Sequence, residues 1–154
     1  MLIKDILWLW FISFLPFVEL RLAIPIGILQ MGLPWPLVFI ICVIADIILG
    51  ILLIHFLGWI NKLLTQWEFT RKYYVRTRDK THKRMRHFTK KYGLLGVALF
   101  IAIPLPGSGV YTGTLGAFLI GLEKKRYYVA LAIGVVFASI IVTFLTVSGQ
   151  AIFS

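Results

Sequence analysis

The chain has 154 residues, of which 60% are hydrophobic, 15% aromatic and 14% charged, with a formal net charge of +10. Soluble domains run nearer roughly 45–50% apolar and about 25% charged, and a chain this short buries too little surface to hide so much apolar side chain from water. Both facts exclude a soluble fold and make lipid the solvent for a single integral membrane domain spanning residues 1–154.

Four apolar stretches follow in order. The first, Ile6 to Leu33, is interrupted at Pro16, Glu19, Arg21 and Pro25. The second, Trp35 to Ile60, is 26 residues long with Asp46 and His55 as its ionisable groups. The third, Gly93 to Leu122, carries no charge but is broken at Pro104, Pro106, Gly107 and Gly109. The fourth, Tyr127 to about Ser148, is unbroken. A spanning helix needs about 20 apolar residues, which the second and fourth stretches supply directly. The first and third each divide into two short arms around a Pro/Gly-rich break, forming either one kinked crossing or a re-entrant hairpin. The faint resemblance of Lys4 and Ile6 to Val18 to a signal peptide lacks a small-x-small cleavage site, so this segment is expected to be retained.

Charge separates the two forms. Eleven of the sixteen Lys and Arg lie between Lys62 and Lys91, and three more are Lys124, Lys125 and Arg126. A single crossing by the third stretch would place these clusters on opposite sides, against the positive-inside rule. A hairpin keeps residues 62–92 and 123–126 in the cytoplasm, with both termini outside and the plasma membrane as the expected location. The basic run suits anionic headgroups of membrane lipids. No nucleic-acid-binding module pattern accompanies it, so no nucleic-acid partner is expected.

The two halves match in order. Setting Pro16 against Pro104 brings Gly32-Leu33 over Gly121-Leu122 after one insertion, with a long helix following each time. The expected fold is an all-α membrane protein of two inverted repeats, residues 1–61 and 93–154. Each repeat is a re-entrant helical hairpin followed by a transmembrane helix, as in many transporters. The joining segment 62–92 carries Trp67, Tyr74, Met85, Phe88 and Tyr92 as a narrow apolar stripe on a basic helix, suited to lying on a membrane surface or serving as a solvated connector. A monomer of this size offers few helices to enclose a cavity, which makes a homodimer the expected assembly.

Charges in a membrane stretch are costly and tend to face a protein interior or a wet cavity, so Glu19 and Arg21 are the first candidates for transport and proton handling. Residues i and i+2 diverge by about 200° on a helix, so these two pair easily only where the backbone is broken, as Pro16 and Pro25 suggest. Pro25 is expected near the first turn of the returning arm. The plainer reading is an ion pair that pins the hairpin. Asp46, near the middle of the second span, adds a second acid. Were all three to share one cavity, two acids and one base would leave a surplus negative charge in low dielectric, and one carboxyl is then expected to hold a proton near neutrality. His55, nine residues on, falls on the opposite helix face and is read as a separate interfacial group.

The run Pro104, Leu105, Pro106, Gly107, Ser108, Gly109, Val110, Tyr111, Thr112 and Gly113 is the candidate substrate-binding loop. It lacks the Lys-Ser/Thr ending and preceding strand of a phosphate loop. Prolines end the incoming arm and a new helix is expected to start near Ser108 or Gly109, where free N–H groups favour an anion. Ser108, Tyr111 and Thr112 add hydroxyls. Close packing of small residues is the plainer alternative. No Ser-His-Asp set exists, His82 and His87 stand five apart in the basic segment, and the lone Cys42 precludes an intrachain disulfide. No enzyme activity, metal or cofactor is expected.

The runs Glu19-Leu20-Arg21-Leu22-Ala23-Ile24-Pro25 and Ala102-Ile103-Pro104-Leu105-Pro106-Gly107-Ser108-Gly109-Val110-Tyr111-Thr112-Gly113 together resemble the signatures of the putative small multi-drug export protein family. The likeness covers nearly the whole chain. That family is grouped with the DedA/VTT superfamily, so the resemblance implies two facing re-entrant hairpins and, from some members, proton-dependent flipping of lipids such as polyprenyl-phosphate carriers. It also implies essential membrane-embedded acidic and arginine residues, which carry over by motif to Glu19 and Arg21 only. The family pattern has Asn where this chain has Asp46, so that acid is a departure.

The leading functional expectation is a proton-coupled transporter or flippase for an amphipathic, phosphate-headed lipid. Export of small cationic drugs is the alternative within transport, and a scaffold or channel subunit the alternative outside it.

Overall fold

The computed structural model describes residues 2–15, 18–65, 92–104 and 108–153. All regular structure among them is helical: α1 (Leu2–Ser13), α2 (Glu19–Pro25) continued by a π-helical turn (Ile26–Gln30), α3 (Trp35–Thr65), α4 (Tyr92–Ala102), α5 (Val110–Leu119) and α6 (Lys124–Phe153). The basic connector falls almost entirely outside the described residues, as do Pro16, Pro106 and Gly107.

Helix length sorts the elements. At 1.5 Å per residue, the 31 residues of α3 and the 30 of α6 reach about 45 Å, well beyond a hydrocarbon core of about 30 Å. The other arms do not. α1 has 12 residues and α5 has 10, about 15–18 Å each. Both long helices are apolar on all sides: α3 buries Val38, Cys42, Ala45 and Leu49 while exposing Ile40, Ile44, Leu52 and Phe56. A helix apolar all round needs an apolar solvent on its outer face.

α3 and α6 run antiparallel. Gly50 lies against Tyr127 and Leu131, whereas Trp35 and Phe39 face Ile140, Thr143 and Val147. α2 is wedged against α1, α3 and α6, and α5 packs on α3 and α6. The core these helices share includes Leu9, Leu20, Ile24, Ile101, Val110, Tyr127 and Leu131. In lipid no hydrophobic force drives one helix onto another, so close approach and hydrogen bonds carry the association. Close approach shows at Gly50, where an added Cβ would lie 2.6 Å from Leu131 Cδ1, and at Gly134, where it would lie 2.8 Å from the Ala98 carbonyl of α4. The hydrogen bonds centre on the fully buried Tyr127, whose hydroxyl donates to the Gly50 carbonyl at 3.0 Å and meets Thr114 Oγ1 at 2.6 Å.

The π turn after α2 and the end of α5 close alike, with a glycine in the left-handed region followed by a buried leucine: Gly32 (φ 64°) with Leu33 and Gly121 (φ 69°) with Leu122. At the second, Leu122 N–H reaches the Ala117 carbonyl and Gly121 N–H the Phe118 carbonyl, the bond pair of a Schellman cap. At the first, Leu33 N–H bonds one residue further back, to Gly27, because the π-helical turn holds an extra residue.

Pro25 sits differently from the sequence expectation. α2 begins at Glu19, so Pro25 is its seventh residue rather than a first-turn proline. Pro25 has no N–H to donate to the carbonyl four residues back in the α-helical pattern, and the wider π turn begins at the next residue.

Candidate functional site

The breaks of the two halves meet, and three charged groups from the first half organise the meeting. Glu19 is the first residue of α2 and holds φ at 42°, a left-handed conformation rare outside glycine. That turn brings its carboxylate, 5% exposed, to the start of α5. There Oε2 accepts the N–H of Val110 and Oε1 the N–H of Tyr111, both at 3.2 Å. The first turn of any helix leaves N–H groups without intrahelical partners, and an anion there is favoured by the helix dipole. Glu19 is that anion. Gly109, the N-cap residue, has φ 142°, and a Cβ on it would collide with the Glu19 carboxylate. Only glycine lets this backbone come so close.

Asp46 performs the same service one step back. It is fully buried in the middle of α3, and its Oδ2 accepts the Leu20 N–H in the first turn of α2 at 3.3 Å. Its other oxygen, Oδ1, has no hydrogen-bond partner among the described residues. Asp46 therefore caps α2, and Glu19 at the head of α2 caps α5.

Arg21 clasps the second break from the other side. Its Nη2 donates to the Ile103 carbonyl at 2.9 Å and to Ser108 Oγ at 3.0 Å, and its Nη1 donates to the Ser108 carbonyl. Ser108 Oγ in turn donates to the Ile103 carbonyl at 2.7 Å. The guanidinium fork thus ties Ile103, just past the end of α4, to Ser108 ahead of α5, and it stands close enough to Glu19 and Asp46 to interact with both electrostatically. Tyr111 completes the junction, its hydroxyl donating to the Phe14 carbonyl at 2.6 Å. Nearby, Ser13 Oγ lies 3.6 Å from the thiol of Cys42, one turn before Asp46.

The helix start expected near Ser108 or Gly109 lies at Val110, with Gly109 as its N-cap. Its leading N–H groups are filled by a carboxylate of the chain itself, so they do not await an external anion. Thr112 is exposed and turns away from the junction, while Thr114, two residues on, is fully buried against Tyr127. Pro104 is half-buried beside Ile103, and Gly113 packs against Ile101. His55 is exposed and bonds Ile51, its own preceding turn, at 2.8 Å. Sequence reading missed Thr114 and Tyr127, since neither residue type signals its partner when 13 residues apart on different helices.

The junction holds both signature runs, and the profile of the putative small multi-drug export protein family matches residues 19–141. The chain belongs to that family. The match opens on Glu19, takes in Arg21, Asp46 and the 104–113 loop, and ends within α6. No curated protein and no solved structure matches the chain. Family membership and the two long apolar helices make this a membrane protein of an export class.

Proposed function

We propose that the chain is a proton-coupled exporter of small amphipathic molecules, neutral or cationic, in which Glu19 takes and releases the coupling proton. The observation that carries this reading is the pair of hydrogen bonds from Val110 and Tyr111 to the Glu19 carboxylate. As a carboxylate, Glu19 accepts both and holds the breaks together. Protonation turns one oxygen into a donor and a much poorer acceptor, weakens the bond from one of the two N–H groups, and loosens α5 from α2. Such discontinuous helices meeting at a polar junction are where transporters rock and bind. Asp46, whose Oδ1 accepts no hydrogen bond from the described residues, is the second proton acceptor in reach.

The arrangement favours a neutral or cationic substrate over a phosphate head. The helix-start donors that a phosphate would use are taken by Glu19 and Asp46, and Arg21 directs its fork to Ile103 and Ser108. The test is reconstitution into vesicles bearing a pH gradient, with ethidium as a cationic amphipathic dye in one set and a fluorescent polyprenyl phosphate in another. The dye is expected to move with the gradient, to stop when a protonophore is added, and to stop in Glu19→Gln while that variant remains folded. Dye movement indifferent to both the gradient and Glu19→Gln would overturn the coupling. Movement of the polyprenyl phosphate alone would assign the chain to lipid flipping, the activity that likeness to the DedA/VTT superfamily implies.

The same proposal includes two inverted repeats with re-entrant hairpins, residues 62–92 in the cytoplasm, termini outside and a homodimeric assembly in the plasma membrane. Arms too short to span, antiparallel long helices and matched glycine closures support the repeat. External labelling of a cysteine placed at 62–91 in intact cells would overturn the orientation.

A further inference from the structure

The peptide group joining Val110 to Tyr111 is bonded at both ends. Its N–H, that of Tyr111, donates to Glu19 Oε1 at 3.2 Å, and its carbonyl, that of Val110, lies 2.5 Å from Thr114 Oγ1. A helical threonine often turns its hydroxyl back to the carbonyl four residues earlier. This one also meets a second hydroxyl, that of Tyr127 on α6 at 2.6 Å, which in turn lies 3.0 Å from the Gly50 carbonyl of α3. Both side chains are fully buried. Polar contacts therefore run without a gap from Gly50 through Tyr127, Thr114 and one peptide group to the Glu19 carboxylate.

Two hydroxyl protons serve the three contacts at Gly50, Val110 and between the hydroxyls themselves. Each hydroxyl donates once, so one contact goes unfilled. In one arrangement Tyr127 donates to Gly50 and Thr114 donates to Tyr127. In the other Tyr127 donates to Thr114 and Thr114 donates to Val110. The remaining possibility, with both hydroxyls donating to carbonyls, sets two bare hydroxyl oxygens 2.6 Å apart and is disfavoured. We infer that Thr114 and Tyr127 are positioning residues that set the proton affinity of Glu19 and carry its charge state to the contact between α3 and α6.

A hydrogen bond donated to a carbonyl polarises its peptide group and strengthens the N–H at the other end. The arrangement that runs from Tyr127 to Thr114 to Val110 thus makes Tyr111 a better donor and favours Glu19 as a carboxylate. When Glu19 takes a proton, the demand on that N–H falls, and the hydroxyls are released to the arrangement in which Tyr127 holds Gly50. The α3–α6 contact then gains a hydrogen bond as α5 loosens from α2. The charged and titratable groups around Glu19 are Arg21 of α2, Asp46 of α3 and Tyr111 of α5, and substitution at Thr114 leaves all three in place. The inference deepens the export reading and rests on Glu19 as its proton site.

The test follows the infrared carboxyl band of Glu19 against pH, using the full chain in nanodiscs and assigning the band by its loss in Glu19→Gln. Thr114→Val removes the hydroxyl at nearly constant shape and weakens the support of the carboxylate. The midpoint is expected to rise by about 0.2–0.5 pH unit, for a change of about 10–30% in one charge-assisted hydrogen bond. Thr114→Ser should restore it. Val142→Ala, about 22 Å along α6 from Tyr127, should lower the melting temperature and leave the midpoint where it was. A second reading is the phenol vibration of Tyr127, assigned against Tyr127→Phe, which reports whether the hydroxyl donates to Thr114 or to Gly50. It should change with pH at the Glu19 midpoint in the wild type, and stay fixed in Glu19→Gln and Thr114→Val. Should Thr114→Val misfold, the phenol reading of wild type against Glu19→Gln decides alone. A midpoint unmoved in folded Thr114→Val, or a phenol signal constant across the Glu19 titration, would overturn the inference while leaving the export reading intact. A Glu19 that does not titrate would overturn both. The expected shifts without gradient-driven dye movement in the wild type would leave the relay standing and remove the export reading.

Discussion

Glu19 caps a helix that begins 91 residues later, at Val110, and its carboxylate occupies the space that a side chain on Gly109 would need. The two halves of the chain are therefore locked through one buried carboxylate, and the lock is the first thing mutation should reveal.

Replacing Glu19 by Ala leaves two buried N–H groups without a partner, at about 1–3 kcal/mol each. Glu19→Gln keeps one acceptor oxygen. Thermal unfolding in detergent is expected to rank wild type above Glu19→Gln and both above Glu19→Ala. Equal melting temperatures for all three would remove Glu19 from the lock.

Gly109→Ala forces its methyl into the Glu19 carboxylate and places alanine at φ 142°, where side chains are strained. The single variant should be less stable than Glu19→Ala. In the double variant the collision is gone, so the combined loss should be smaller than the sum of the two. A strictly additive pair in a double-mutant cycle would show that the two residues do not compete for the same space.

Arg21→Lys keeps the charge and loses the planar fork that bonds Ile103 and Ser108 together. Faster amide hydrogen exchange is expected at residues 108–111, with exchange in the middle of α6 unchanged. Ser108→Ala should show the same pattern in weaker form. Unchanged exchange in Arg21→Lys would reduce Arg21 to a bystander of the break.

Asp46→Asn retains an oxygen for the Leu20 N–H, whereas Asp46→Leu does not. Melting temperature should therefore fall in the leucine variant and hold near wild type in the asparagine variant. If the coupling proton sits on Asp46 rather than Glu19, gradient-driven efflux will vanish in Asp46→Asn and persist in Glu19→Gln. The reverse result is expected.

Tyr127 separates two forces at the α3–α6 contact. Tyr127→Phe removes the bond to Gly50, and single hydrogen bonds between membrane helices contribute about 0.6 kcal/mol on average, at most about 1.7. Gly50→Val instead pushes a branched side chain toward Leu131 and the Tyr127 hydroxyl, an overpacking expected to cost about 1–3 kcal/mol or more. Equal losses in unfolding experiments would mean that hydrogen bonding, not close approach, sets this contact.

Apolar length and interruption are properties of local sequence, and they determined the membrane setting, the two spanning helices, the four short arms and the positions of both breaks. They also singled out Glu19, Arg21 and Asp46, because a charge within an apolar run is conspicuous wherever it ends up. What each charge does was decided only by tertiary structure. A helix start announces its free N–H groups in the sequence, at Gly109 and Val110, but not which acid will reach them. Here the partner is Glu19 from the other half, turned there by a left-handed backbone that no composition foretells. Asp46 gained its place by lying beside the first turn of α2, and Pro25 lost its expected first-turn role because α2 starts six residues earlier. Hydropathy and spacing act over a few turns of one helix. Caps and clasps arise between helices, where only packing sets the distances.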